Sequence, residues 1–120
     1  MKKNISPHVN IYRFPITAIS SITNRITGVY LTGIFIGSGL YCLRTKEPII
    51  EKYNEIENPW KRLINYSLIF PLNYHTIGGI RHFIWDKYPK FLENNSVKKS
   101  SFFVFGFSLA STIIQEKILN

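Results

Sequence analysis

Cysteine occurs once in these 120 residues, at Cys42, so the chain can build neither a disulfide framework nor a thiolate cluster of its own. The plain reading of Cys42 is a small side chain facing lipid or a neighbouring helix. Glycine-rich phosphate-binding loops are missing too, and with them any nucleotide or flavin chemistry housed within this chain alone. Alanine appears only at Ala18 and Ala110, whereas isoleucine, asparagine and lysine together make 39 residues. That bias is what an AT-rich genome produces, and it points to an organelle-encoded protein or one from an AT-rich bacterium. After Met1-Lys2-Lys3 there is no apolar core of a secretory signal and no Arg/Ser-rich amphipathic leader, so neither kind of targeting segment is expected.

Charge is scarce where it matters most. Residues 26–43 and 63–80 are each 18 residues long without a charge, and residues 100–115 add 16 more. A helix crosses the hydrocarbon core with roughly 20 mainly apolar residues, in a range of about 17–25. The expectation is therefore an all-α membrane protein with three transmembrane helices, and its rival is a soluble helical bundle. The mean hydropathy is close to zero, because the tails and loops are polar and the runs carry Asn, Ser, Thr and Tyr.

Acidic residues number 7 against 15 Lys and Arg, for a net charge of +8. The distribution of that charge speaks against nucleic acid as a partner. Lys2, Lys3, Arg13 and Arg25 precede the first run, and Arg81, Lys87, Lys90, Lys98 and Lys99 lie between the second and third. The other side holds Arg44, Lys46, Lys52, Lys61, Arg62 and Lys117, diluted by five glutamates. Lys and Arg accumulate on the side where a membrane protein is made, so the N-terminus and second loop are expected in the cytoplasm or matrix, where they also suit lipid headgroups.

Residues 1–15, punctuated by Pro7 and Pro15, read as a surface arm, and residues 16–120 as a three-span unit. Its helices are expected at about 16–43, 60–85 and 99–117. The segment 44–62 reads as a charged loop ending in Pro59-Trp60, an interfacial anchor. Gly33 and Gly37 have the small-xxx-small spacing that lets membrane helices pack closely.

His75 lies inside the second uncharged run, and His82 stands beside Arg81 where that run ends. An ionisable residue at bilayer depth is costly and is a functional-site hypothesis by default. Imidazole is a standard axial ligand of haem iron. Pro71, His75 and Gly79 share one helix face, with space for a flat macrocycle, and His82 lies near that face roughly 10 Å along. The two histidines cannot ligate opposite faces of one iron, but they can divide the work, His75 on the iron and His82 near the haem carboxylates. A hydrogen bond from His75 to a neighbouring helix, or a proton relay, remains open. Ser21 and Arg25 are four apart on the first helix, hence on one face. They either hydrogen-bond a quinone oxygen in a semi-apolar cleft or Arg25 simply snorkels to the interface.

Three segments together resemble one family. They are Ser6-Pro7-His8-Val9-Asn10-Ile11-Tyr12, the block from Pro15 through Ser21, Asn24 and Arg25 to Gly28, and His75 followed by Gly79-Ile80-Arg81-His82-Phe83-Ile84-Trp85-Asp86. In that order, on three spans, they closely resemble the cytochrome b subunits of succinate dehydrogenase, which are membrane anchors of respiratory complex II. The resemblance implies half of a heterodimeric haem-binding helical bundle. It implies His75 as an axial ligand of haem b, with the other ligand supplied by a second anchor subunit. Arg25 would lie near a haem propionate and, with Ser21, line the ubiquinone site; His82 would sit near the haem edge. The implied partners are that second anchor, the iron–sulfur subunit and the flavoprotein subunit, in the mitochondrial inner membrane with the N-terminus in the matrix, or in a bacterial cytoplasmic membrane. The chain departs from the family pattern at Asn24, where many relatives have His, and at Gly78, where many have Asn. A fumarate reductase anchor and a haem-free structural subunit are the alternatives.

Overall fold

The computed structural model describes residues 14–119, and all of its regular structure is helical. Helix α1 spans Ile16–Thr45, the short α2 spans Ile49–Asn54, α3 spans Asn58–Lys87 and α4 spans Asn94–Leu119, with a 3-10 turn at Pro89–Leu92. Of the expected surface arm, residues 1–13 lie outside the described residues.

Helix ends follow from local chemistry. Pro15 is extended (φ −72°, ψ 151°) at the N-cap of α1, a conformation its ring favours. At the other end Lys46 takes the left-handed conformation (φ 58°) and its N–H closes on the Cys42 carbonyl at 2.9 Å; this is the usual way to end a helix, with lysine in place of the usual glycine. Helix α3 starts at Asn58, slightly before residue 60, because Pro59 fits a first turn where its missing N–H is not needed.

Two features differ from the expected layout. The segment 44–62 is not an irregular loop, since α2 forms within it after Pro48. The Tyr53 hydroxyl donates to Asn65 Oδ1 at 2.7 Å and Lys61 Nζ lies 5.1 Å from the Tyr53 ring centre, so α2 is stapled to the start of α3. Helix α4 begins at Asn94 rather than near residue 99, its first turn polar and largely exposed.

The packing is inside out relative to a water-soluble bundle. Among the described residues only Tyr74 and Val104 are buried large apolar side chains, while Ser20, Thr27, Ser101, Ser108 and Thr112 are also buried. Phe35, Leu43 and Phe83 are each more than three-quarters exposed. A soluble bundle turns its apolar stripe inward; helices in lipid meet through small residues that let backbones approach. Three of these hydroxyls bond carbonyls of their own helix, Thr27 to Asn24 at 2.9 Å, Ser101 to Val97 at 2.8 Å and Thr112 to Ser108 at 2.6 Å, so their donors are satisfied locally.

Helix α3 is the central element and packs against both α1 and α4. Tyr74 joins all three: its ring centre lies 4.8 Å from that of Phe105, and its hydroxyl lies 3.0 Å from Ser20 Oγ and 3.2 Å from the Ser20 carbonyl. Further along, Asn73 Nδ2 donates to Thr112 Oγ1 at 3.2 Å and to Gln115 Oε1 at 3.0 Å. At the far end Glu116 accepts from Tyr66 at 3.3 Å and pairs with Arg62 at 3.7 Å. Helices α1 and α4 are long and apolar enough to cross a membrane. Helix α3 has 30 residues, about 45 Å of axis, but Asn65, Asn73 and His75 make it less apolar.

Tyr74→Phe should cost about 0.6 kcal/mol, the average for hydrogen bonds between membrane helices, and no more than about 1.7 kcal/mol. Ser108 separates two kinds of packing, because its buried hydroxyl has no partner. Ser108→Ala should be neutral or stabilising, whereas Ser108→Leu should destabilise by about 1–3 kcal/mol through overpacking. Reversible unfolding in bicelles checks all three.

Candidate functional site

The α1–α3 crossing is built on two glycines. A Cβ on Gly28 would meet His75 Cε1 at 2.6 Å and Nδ1 at 3.1 Å, so the Cε1 corner of the imidazole reaches α1 only because Gly28 has no side chain. A Cβ on Gly78 would run into the Asn24 side chain, overlapping Oδ1 and meeting Cγ at 2.9 Å. Asn24 therefore fills the space above Gly78, and its Oδ1 is buried without a hydrogen-bond partner. Gly33 and Gly37, by contrast, face open space; within this chain they join no helices.

His75 Nδ1 lies 3.0 Å from the Asn24 carbonyl oxygen. A carbonyl can only accept, so the bond puts the proton on Nδ1 and leaves Nε2 of the neutral ring with a free lone pair. Ligating histidines are commonly oriented by a bond of this kind from the other ring nitrogen. The ring is exposed and opens onto a groove of about 560 Å³ walled by Gly28, Val29, Thr32, Gly33 and Ile36. Two of those five wall positions are glycine, and Gly79, one turn beyond His75, also faces open space. The flank is smooth enough to admit a planar group. No group of three or more His, Cys, Asp or Glu stands together among the described residues, so within them a metal would find single donors rather than a complete ligand set.

Contacts of Ser20 with Tyr74, of Asn24 with His75 and Gly78, and of Gly28 with His75 set residues 20–28 of α1 against residues 74–78 of α3. Arg25 directly follows Asn24, and Ser21 stands one turn before it on α1. Arg25 is exposed and lines a hollow with Ile26, Val29 and Tyr30, Val29 being shared with the His75 groove. Ser21 and Gly28 lie within roughly 20° of each other around α1. Neither Ser21 nor Arg25 has a hydrogen-bond or ion-pair partner among the described residues. Arg25 and His75 thus line two hollows that share Val29, and Ser21 lines neither. His82 is exposed further along α3, edge-on to Trp85 at 5.1 Å.

Sequence reasoning missed the Asn24 carbonyl and the two contact glycines. It also paired Arg81 with His82, but Arg81 is buried against α4, donating to Ser101 Oγ at 3.2 Å. Only the helical angle separating neighbours carried that signal.

The chain matches the model of the succinate dehydrogenase/fumarate reductase transmembrane subunit family over residues 1–115. It is 32% identical over 98 residues to a mitochondrial succinate dehydrogenase cytochrome b560 subunit from Dictyostelium discoideum, covering 79% of this chain and 51% of that protein. The human mitochondrial cytochrome b560 subunit is 33% identical over 87 residues, 68% of this chain and 52% of that protein. The Porphyra purpurea cytochrome b560 subunit is 30% identical over 110 residues, 84% of this chain and 85% of that protein. The chain thus spans about half the length of the Dictyostelium and human relatives and most of the algal one. With the family model covering almost its whole length, an all-helical fold and apolar outer faces, the chain belongs to the succinate dehydrogenase/fumarate reductase transmembrane subunit family, on the side of the succinate dehydrogenase cytochrome b subunits.

Proposed function

We propose that this chain is the cytochrome b anchor of a succinate:ubiquinone oxidoreductase, with His75 as one axial ligand of haem b and Ser21 and Arg25 lining part of the ubiquinone site. The observation that carries the reading is the bond from Nδ1 of His75 to the Asn24 carbonyl, which leaves Nε2 bare beside a glycine-walled groove. The relatives' names, all of succinate dehydrogenase, favour the succinate direction over fumarate reduction. In this reading α1, α3 and α4 all span the mitochondrial inner membrane, with the N-terminus in the matrix. A second anchor subunit supplies the other ligand and covers the open face of Gly33, Gly37 and Gly79, where small residues permit close approach. The iron–sulfur and flavoprotein subunits dock at the end carrying Ser21.

When bound, haem b supplies a one-electron carrier between the peripheral subunits and the quinone region. The residues of this chain do the rest. The Asn24 carbonyl holds the imidazole in one tautomer and orientation. Gly28 provides the clearance that lets the ring stand there. The Ser21 hydroxyl donates to a quinone carbonyl oxygen, and the Arg25 guanidinium, whose fork of donors suits carboxylates and oxyanions, stabilises the charge that develops on that oxygen during reduction. Arg25, next to the Asn24 that bonds His75, would also offer its guanidinium to a haem carboxylate, and His82 stands further along the same face of α3.

His75→Ala should abolish or markedly shift the low-spin b-type absorbance of the assembled complex. Gly28→Ala should do the same through displacement of the ring, while His82→Ala keeps the spectrum. An unchanged spectrum in assembled His75→Ala would remove the assignment.

Ser21→Ala and Arg25→Ala should spare succinate oxidation by artificial dyes yet lower quinone reduction by about 1.5–3 kcal/mol of lost stabilisation each, the worth of a hydrogen bond to a charged group. Arg25→Lys should rescue only partly. Normal rate and apparent affinity in both alanine variants would place the quinone elsewhere.

Residues 46–57 should react with membrane-impermeant labels only from the side opposite the matrix. Labelling from the matrix face of sealed vesicles would reverse the orientation.

A further inference from the structure

We propose that Arg81 and the cleft between α3 and α4 bind the phosphate of an anionic phospholipid, a site separate from the His75 face. Six residues at about 100° each turn Arg81 roughly 120° away from His75 around α3, which points it to α4 and leaves the haem side to the histidines.

Arg81 is only 7% exposed. One nitrogen donates to Ser101 Oγ at 3.2 Å, and the guanidinium carbon lies 4.6 Å from the Trp85 ring centre. Its Nε is buried and has no partner. No carboxylate pairs with it among the described residues. A guanidinium presents five N–H donors, and a buried charge without a counter-ion is costly to keep. The missing partner is an anion.

The cleft it lines, about 250 Å³, says which anion. Apart from Ser96 and Ser100 its walls are apolar, formed by Ile77, Ile80, Ile84, Phe103 and their neighbours. Its position along the helices fits a headgroup. The uncharged run 63–80 ends one residue before Arg81, and the run 100–115 begins one residue before Ser101. Arg81 therefore stands where two apolar segments meet the polar zone, with Lys87, Lys90, Lys98 and Lys99 in the connection beyond. Basic pockets between membrane helices on this side of a bilayer are suited to anionic lipid headgroups. Phosphate on the guanidinium, with an acyl chain along Ile77, Ile80 and Phe103, satisfies charge and walls together; the Ser100 hydroxyl, which donates to the Val97 carbonyl at 3.0 Å, would turn from it to join the phosphate. The inference rests on the membrane embedding of α3 and α4 and on the orientation proposed above, and not on the haem or quinone assignments.

The native assembly is purified and placed in nanodiscs of phosphatidylcholine alone or with phosphatidylglycerol. Phosphatidylglycerol should raise the unfolding midpoint of wild type, and the apparent affinity should fall roughly 10- to 100-fold in Arg81→Gln, the range for losing a charge-assisted hydrogen bond. Lys98→Ala/Lys99→Ala should keep most of the response, because those side chains are exposed. A photoreactive phosphatidylglycerol on wild type should label peptides 77–85 and 96–104, a readout that needs no variant to fold. Equal response in Arg81→Gln, equal response to phosphatidylcholine, an equal shift from inorganic phosphate in detergent, or labelling confined to other helices would each overturn the proposal. Retained haem absorbance in Arg81→Gln separates this outcome from failure of the His75 assignment.

Discussion

Helix backbones can approach to within the width of one flat ring only where no Cβ stands between them, and Gly28 and Gly78 meet that condition for α1 and α3. The rest of the arrangement follows from this clearance. It brings the Asn24 carbonyl within 3.0 Å of His75 Nδ1 and Ser20 within reach of the Tyr74 hydroxyl. It also leaves the second imidazole nitrogen without a hydrogen-bond partner among the described residues, beside the groove lined by Gly28 and Gly33. A larger residue at position 28 would leave the helices helical and remove the geometry.

The buried face is held by short-range fit rather than by expulsion of apolar side chains from water. Among the described residues only Tyr74 and Val104 are buried large apolar side chains, so the contact of α1, α3 and α4 rests on close packing and interhelical hydrogen bonds, the means that helices in lipid use. Serine and threonine suit that role because their hydroxyls bond their own helix at 2.6–2.9 Å. They occupy little volume and ask nothing of the neighbour. Larger polar groups appear where they have a neighbour to bind, as with Asn73 on Thr112 and Gln115, or where the cost is retained, as with Arg81.

Charge-free runs made the helical class legible in the sequence, and the lone histidine within one of them marked the crossing that the structure displays. Residues spaced four apart, such as Ser21 and Arg25, could be set on one face without coordinates. Other features were not legible, for identifiable reasons. Gly33 and Gly37 have a recognised packing spacing yet face open space, whereas Gly28 and Gly78 carry the contact; spacing within one helix says nothing about which face the next helix meets. Helix α2 was hidden because Ile49, Ile50, Tyr53 and Ile56 sit among charges in a short segment. Arg81 read as a companion of His82 because adjacency in sequence is about 100° of rotation on a helix.

The contact of Asn24 with Gly78 also constrains how such a sequence can change over time. Volume there is shared across two helices: an amide on one side fits because the other side has only hydrogen. Enlarging position 78 while Asn24 stays requires the amide to move or the helices to part, and parting them carries the Asn24 carbonyl away from His75. Drift at one position is therefore conditional on the other, although they lie more than fifty residues apart in the chain. The site's variability is thus a property of the pair, and a history of either residue alone would misjudge how freely it can vary.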